Sequence, residues 1–189
     1  MDYRQKIEKY LEQEIEIIKS LDRNAINTIM NEIRKSQERG STIFICGNGG
    51  SAATASHYCC DFNKGVSGLE DKNTNFVCLS DNVPTIMAIA NDISYDEIFA
   101  YQLKNRIKKG DILFAISGSG NSKNVVRAME VAKEKGNMII GLCGYNGGKV
   151  KEMSDVCLHV NINNMQITED VHMILDHCMM FVLCDCNHN

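Results

Sequence analysis

Residues 43–51 read IFICGNGGS, and this stretch decides the fold. An apolar run stops at a glycine-rich turn, and a helix-forming segment follows it. Residues 112–122 read ILFAISGSGNS and repeat this arrangement. In both stretches glycines allow a tight turn, and serine hydroxyls lie at the N-terminus of the helix that follows. The free N–H groups and partial positive charge of a helix N-terminus attract phosphate. Because the turns carry serines and no Walker lysine, they predict a site for a small phosphorylated metabolite.

The rest of the chain alternates the same two kinds of segment. Five short apolar runs are typical of parallel strands buried on both faces, at 42–46, 75–79, 111–116, 138–142 and 155–160. Between them, apolar residues recur at helical spacing over 51–64, 83–91, 95–108, 122–135 and 166–184. This alternation predicts an α/β fold with a doubly wound, five-stranded, mostly parallel sheet. Lys64 to Asn75 is the one polar loop of note, and residues 1–189 are predicted to form a single domain.

Two helices are predicted ahead of the first strand. Over residues 4–38, apolar side chains recur three and four positions apart, with a break near Leu21 and Asp22 and a stop signal at Gly40. These helices either cap the α/β core, which is predicted to occupy residues 41–186, or pack against a second subunit. The pattern leaves both possibilities open.

Composition excludes several classes of partner. The 189 residues carry a formal net charge of −4 and no basic cluster with interleaved aromatics, which argues against nucleic acid. The chain opens on a charged pattern rather than a signal peptide, and no apolar run reaches the roughly 20 residues that span a bilayer. We therefore expect a cytoplasmic protein with no membrane partner, in which the nine cysteines are reduced.

A dinucleotide site is the main competitor for the first turn. The spacing of its glycines differs from G-x-G-x-x-G because Ala52 stands at the place of the third glycine. In addition, no acidic residue lies at the end of the next strand, where a dinucleotide site needs one to bind the ribose. A dehydrogenase is thus disfavoured. For any single serine or asparagine of the turns, a helix cap remains an equally good interpretation.

Three segments together resemble the sugar isomerase (SIS) domain family: residues 47–51, the Asn91-Asp92 pair and residues 117–122. Within that family the chain resembles the phosphoheptose isomerases over nearly its whole length. The resemblance implies a flavodoxin-like or Rossmann-like SIS fold and a homotetramer with shared active sites, for which residues 1–40 would supply oligomerisation helices. It also implies isomerisation of sedoheptulose 7-phosphate to D-glycero-D-manno-heptose 7-phosphate through an enediol. The implied substrate-binding residues are Asn48, Gly49, Gly50, Ser51, Asn91, Asp92, Ser117, Gly118, Ser119, Ser122 and Glu169.

The same resemblance assigns the proton chemistry and a possible Zn²⁺ ion. Asp61 stands where the family has a glutamate base, and His177 matches its acid/base partner. His57, Asp61, Glu169 and His177 match a family zinc site in which the position of Glu169 is usually glutamine. Aspartate is shorter than glutamate by roughly 1–1.5 Å, and a misplacement of that size can cost about 10²-fold in rate. The extra charge of Glu169 would be compensated by a cation.

Residue spacing supports part of this zinc site and restricts how Glu169 could belong to it. His57 and Asp61 are four residues apart and share one helix face. Glu169, His172, Asp176 and His177 crowd an otherwise apolar helix. Glu169 and His177 are about 12 Å apart along a continuous helix. They can therefore reach one ion only if Glu169 lies at the start of that helix or if the two come from different subunits. Without a metal, His57 is a polar residue of a helix face and Glu169 a first-turn carboxylate.

Two other functions remain open. Some SIS proteins lack the catalytic pair and bind sugar phosphates or the DnaA replication initiator as regulators. A different phosphosugar is also a possible substrate. The presence of both Asp61 and His177 favours an enzyme.

Overall fold

A five-stranded parallel sheet forms the centre of the computed structural model, which describes residues 1–67 and 73–185. The strand order is β2-β1-β3-β4-β5, and every pairing is parallel. The doubly wound fold predicted from the sequence is therefore confirmed. The strands are Ile43–Cys46 (β1), Phe76–Cys78 (β2), Ile112–Ser117 (β3), Met138–Cys143 (β4) and Val156–His159 (β5).

Helices cover both faces of this sheet. They are Arg4–Ser20 (α1), Arg23–Arg39 (α2), Gly50–Cys60 (α3), Val83–Asp92 (α4), Ala100–Lys104 (α5), Lys123–Glu134 (α6), Gly148–Met153 (α7) and Met165–Asp185 (α8). The predicted break in the first helical region is confirmed. The Asp22 carboxylate accepts the N–H groups of Asn24 and Ala25 and so begins α2, and Gly40 ends it in a left-handed conformation.

Two helical expectations differ from the structure. The helix predicted over 95–108 is wrong: a 3₁₀ turn at Tyr95–Glu97 and the short α5 replace it. The buried Gln102 side chain helps to hold this compact arrangement, because it donates to the carbonyls of Leu79 and Ile98. Helix α7 was not expected, since its six residues begin on glycines that read as turn signals.

The helix predicted over 51–64 changes character within that range. Helix α3 ends at Cys60, and Asp61–Val66 continues it as a π-helical turn. Wide turns of this kind are rare and are frequently found at functional sites. Of the predicted polar loop between Lys64 and Asn75, residues 68–72 lie outside the described residues.

Alternate residues of each strand enter two separate cores. On one face Ile45 and Phe114 pack with residues of α2, α3 and α8. On the other face Phe44 and Leu113 pack with residues of α4, α5 and α6. Burial on both faces explains why the strands read as continuous apolar runs rather than as alternating patterns.

The strand order places both turns at one point of the sheet. Strands β1 and β3 are neighbours, β2 lies beyond β1, and β4 lies beyond β3. The chain therefore winds in opposite directions from this central pair, which makes it the topological switch point. Ligands of open α/β sheets bind at this point, outside the carboxyl ends of the strands.

The helices do not have the length and hydropathy that a bilayer requires. Among the described residues, every helix is too short or too polar to cross a membrane.

The serine-rich turn after β3 is held by the loop after β4. The Gly144 N–H donates to the Gly118 carbonyl (2.8 Å), and the Val150 N–H donates to the Gly120 carbonyl (2.9 Å). Gly120 has a φ of 68°, and a Cβ added to it would overlap the Gly147 carbonyl. The two loops therefore interlock through backbone atoms at Gly118 and Gly120, and the Asn121 side chain adds a hydrogen bond from the Lys149 N–H (3.2 Å).

This interlock predicts an unequal effect of two glycine substitutions. Gly136 also has a φ of 68°, but a Cβ there would meet nothing within 4 Å. Gly136→Ala should cost only the backbone strain, about 1 kcal/mol. Gly120→Ala should cost about 1–3 kcal/mol more, because the methyl group forces the loops apart. Urea denaturation of both variants measures this difference, and equal losses of stability would contradict the interlock.

Candidate active site

Two serine hydroxyls face each other at the start of α6. The Oγ atoms of Ser117 and Ser122 are 3.0 Å apart, and Ser117 is 3% exposed. Ser122 occupies the N-cap position of α6, but its side chain makes no capping hydrogen bond. Within the turn, the Asn121 N–H donates to Ser119 Oγ (3.2 Å). The cap interpretation of Ser122 therefore loses its support, and the arrangement of donors suits an anion.

Paired amides join the glycine-rich turn to the serine-rich turn. Asn48 and Asn124 each donate Nδ2 to the other's Oδ1, both at 2.9 Å, and the Tyr95 hydroxyl donates to Asn48 Oδ1 (3.0 Å). Asn124 lies in the first turn of α6. The two predicted turns are therefore parts of one connected structure.

Glu169 lies at the glycine-rich turn. A Cβ added to Gly50, the first residue of α3, would overlap the Glu169 carboxylate. A negative charge is favoured there by the helix dipole. This end of α3 already has an anionic group beside it, so the serine-rich turn is the better place for a ligand's phosphate.

Three other predicted substrate contacts lie at different places. Ser51 is 4% exposed in the first turn of α3. Asn91 and Asp92 are exposed at the end of α4, where Asn91 Nδ2 donates to Asp92 Oδ1 (2.8 Å). Asp92 lines a cleft of about 300 Å³ together with Ile93 and Tyr101. In the described part of the chain, this cleft shares no residue with either turn.

Four ionisable side chains converge between α3 and α8. His57 Nε2 is 3.0 Å from His177 Nε2 and 3.5 Å from Asp61 Oδ2, and His177 Nε2 is 3.9 Å from Asp61 Oδ2. Asp176 Oδ2 lies 3.8 Å from His57 Nε2. Donor atoms of all four side chains lie within 4.8 Å of one another. The structure thus brings together three of the four predicted metal ligands, with Asp176 beside them.

Asp176 was not among the predicted site residues. It is 0% exposed, and both carboxylate oxygens lack a hydrogen-bond partner in the described structure. Burial raises the pKa of this carboxyl to about 8, and the neighbouring charge of Asp61 adds to the effect. An acidic residue in an otherwise apolar stretch of α8 was the available sequence signal.

The remaining polar residues of α8 lie outside this cluster. Glu169 is beside Gly50, so the structure does not bring it to the other three predicted ligands. His172 is fully buried, and burial lowers its pKa to about 4. A neutral buried imidazole fits a structural role for His172.

The donor set fits a zinc ion. Two imidazole nitrogens and two carboxylates are common zinc ligands, and tetrahedral bonds of about 2.0–2.1 Å place ligand atoms about 3.3 Å apart. Four of the donor spacings lie between 3.0 and 3.9 Å and bracket this value, and all of them lie within 4.8 Å. A cation would also satisfy the buried, unpartnered carboxylate of Asp176. The four side chains therefore fit a metal ion, but the set differs from the implied one, because Asp176 belongs to it and Glu169 does not.

The raised pKa of Asp176 predicts a stability cost in metal-free protein. Between the ordinary aspartate pKa of 3.8 and the raised pKa of about 8, the folded chain holds a proton that the unfolded chain has lost. Stability contributed by this group therefore falls as pH rises across that window. With chelator present, the unfolding free energy of wild type relative to Asp176→Asn should decrease between those two pKa values. Denaturant titrations at several pH values measure it, and parallel profiles would contradict the assignment.

Known proteins resemble this chain in sequence and in fold. The SIS domain family matches residues 2–144. A phosphoheptose isomerase of Helicobacter pylori (strain P12) is 37% identical over 97% of this chain and 89% of its own length, and one of Aliarcobacter butzleri is 33% identical over 96% and 91%. Phosphoheptose isomerase GmhA from Neisseria gonorrhoeae superposes with a TM-score of 0.86 at 29% identity, over 99% of both chains. The chain therefore belongs to the SIS domain family and, within it, to the phosphoheptose isomerases.

Proposed function

We propose that this protein converts sedoheptulose 7-phosphate to D-glycero-D-manno-heptose 7-phosphate through an enediol. The observation that carries the proposal is the pairing of a phosphate-type turn with the His57, Asp61 and His177 cluster on one connected framework. Helix α3 links the two, since it begins at the glycine-rich turn and reaches His57 after about 10 Å. A seven-carbon sugar phosphate has its phosphate and its reacting carbons at opposite ends. It can therefore place its phosphate at the turn and its reacting carbons at the cluster.

The phosphate is assigned to the serine-rich turn. Ser117, Ser119 and Ser122 can donate hydroxyl hydrogens, and the start of α6 adds the helix dipole. Asn48, Gly49, Gly50 and Ser51 would contact the sugar chain on its way to the cluster. The negative Glu169 at the start of α3 would discourage binding with the phosphate end reversed.

Proton transfer is assigned to Asp61 and His177. Asp61 removes a proton from C1 of the ketose while His177 donates a proton to the C2 oxygen, which forms the enediol. His177 then takes the O1 proton, and Asp61 returns its proton to C2. The Asp61 side chain is 15% exposed, and that of His177 is 56% exposed, so both can reach a bound sugar.

A Zn²⁺ ion is included in the proposal as a cofactor. His57, Asp61 and His177 are within reach of one ion, and a bound zinc would polarise the sugar oxygens as a Lewis acid. Glu169, which the structure places beside Gly50, is assigned to the substrate side of the site.

We further propose a cytoplasmic homotetramer. Helix α1 exposes Ile7, Leu11 and Ile15, and helix α4 exposes Val83 and Met87. Two separate apolar faces on one chain allow two different interfaces, as dihedral symmetry requires. This arrangement gives helices 1–40 their oligomerisation role. It also allows the exposed Asn91 and Asp92 to serve the site of a neighbouring copy.

The non-catalytic alternative has weaker support. The relatives compared at 33–37% identity are named as isomerases, and Asp61 and His177 are close enough to act on one substrate. No feature of the described structure favours a regulatory role over this one.

Turnover of sedoheptulose 7-phosphate tests the proposal directly. Purified protein should isomerise it, and Asp61→Asn should lower kcat by about 10²–10⁴-fold, because the amide cannot accept a proton. Asp81→Asn, an exposed change of the same chemistry, should leave kcat unaltered. The product is followed by NMR. Inactive wild-type protein would overturn the isomerase assignment, and an active Asp61→Asn would move the base to another residue.

Substitutions in the serine-rich turn should act on binding. A hydrogen bond to a charged group is worth about 1.5–3 kcal/mol, so Ser117→Ala or Ser122→Ala should raise KM by at least about 10-fold. Competitive inhibition by inorganic phosphate should weaken in parallel. Ser20→Ala, at the exposed end of α1, provides the matched control. If KM and phosphate inhibition are unchanged in both turn variants, phosphate binds elsewhere.

A further inference from the structure

We infer that Asp176 is the carboxylate that anchors the metal ion, which leaves Asp61 free to act as the base. This inference rests on the proposed function and divides its two tasks between two aspartates. The sequence resemblance assigns both tasks to Asp61, and it assigns the second acidic ligand to Glu169. The structure keeps Asp61 in the cluster but brings Asp176 to it instead of Glu169.

The surroundings of Asp176 favour a bound cation. Its carboxylate is completely buried, and neither oxygen has a hydrogen-bond donor in the described structure. Its ion-pair partner among the described residues is His57, at 3.8 Å. Burying a carboxylate without donors or a counter-charge is costly, and proteins retain such groups mainly where they are paired or bind metal. The two neighbouring imidazole nitrogens supply the other ligands that a divalent metal ion would require.

Exposure separates the two aspartates. Asp176 is 0% exposed and is closed off from a sugar, whereas Asp61 retains 15% exposure at the start of the π-helical turn. A carboxylate that shares its lone pairs with a metal ion is a weaker base than one that remains free. Similar groups placed in different environments commonly take different catalytic roles. The buried aspartate therefore suits the metal, and the exposed one suits the proton.

The position of Glu169 supports the same division. Its carboxylate lies against Gly50 at the start of α3, two turns of α8 before His177. Asp176 is next to His177 in sequence, and both reach His57 across the gap between α3 and α8. Helix α8 can thus supply both a carboxylate and an imidazole to one ion without Glu169.

Zinc affinity and turnover, measured on the same variants, test the inference. The full-length protein is stripped with chelator, dialysed and titrated with Zn²⁺, and binding is followed with a competing zinc dye and by the zinc-induced rise in Tm. Loss of a partner outside the ligand shell already costs about 10–100-fold in affinity, so Asp176→Asn should weaken zinc binding by at least about 100-fold. Asp61→Asn should keep zinc affinity within a few-fold of wild type while losing turnover, and Glu169→Gln should also keep it.

A second substitution separates a ligand role from a structural one. Asp176→Leu removes the buried carboxyl group that lacks hydrogen-bond partners, so it should fold with a zinc-free Tm at or above that of wild type and still lose zinc binding. Wild-type zinc affinity in both Asp176 variants would overturn the inference. So would loss of zinc in Asp61→Asn, or a wild-type protein that shows no zinc binding. Turnover of sedoheptulose 7-phosphate by wild type is scored separately, so failure of the isomerase assignment is distinguishable from failure of this one.

Discussion

Parallel pairing of β1 with β3 is the constraint on which the site depends. Ile43 lies opposite Ile112 and Cys46 lies opposite Ala115, so the two parallel strands finish at the same edge of the sheet, with β3 two residues longer. The glycine-rich and serine-rich turns therefore emerge side by side, where the amides of Asn48 and Asn124 join them. A shift of this register would separate the turns and would also turn the apolar side chains to the wrong faces.

Helix α3 connects the glycine-rich turn to the cluster of ionisable side chains. It begins on the glycine-rich turn and carries His57, and the chain widens into a π-helical turn at Asp61. Helix α8 packs beside it and adds Asp176 and His177. The cluster contains two acids and two imidazoles, so its charge is balanced most readily by a divalent cation. The proposed division between an anchoring and a reacting aspartate follows from their difference in burial.

Much of this could be predicted from the sequence, for identifiable physical reasons. Strands buried on both faces leave uninterrupted apolar runs, and caps such as Asp22 and Gly40 mark helix ends. Contacts between residues that are distant in sequence leave weaker signals in the sequence. Asp176 belongs to the site because it is buried beside His57, and Glu169 is separated from the site because its carboxylate lies against Gly50. Neither contact can be read from the local spacing of residues in the sequence. The 95–108 segment has helical periodicity, but it forms a shorter helix, in which Gln102 donates a tertiary hydrogen bond to the Leu79 carbonyl.

The central claim is that Asp61 and His177 move a proton through an enediol at a site whose far end holds phosphate. Partial conversion of sedoheptulose 7-phosphate in D₂O, followed by NMR of the recovered sugars, tests it most directly. Asp61 is partly exposed, so the proton that it removes can exchange with solvent before Asp61 protonates the enediol. The account therefore predicts deuterium at C2 of the aldose product and at C1 of recovered ketose, and it predicts that Asp61→Asn incorporates none. Isomerisation with no deuterium at either carbon would contradict the account, because it would indicate direct hydride transfer between C1 and C2.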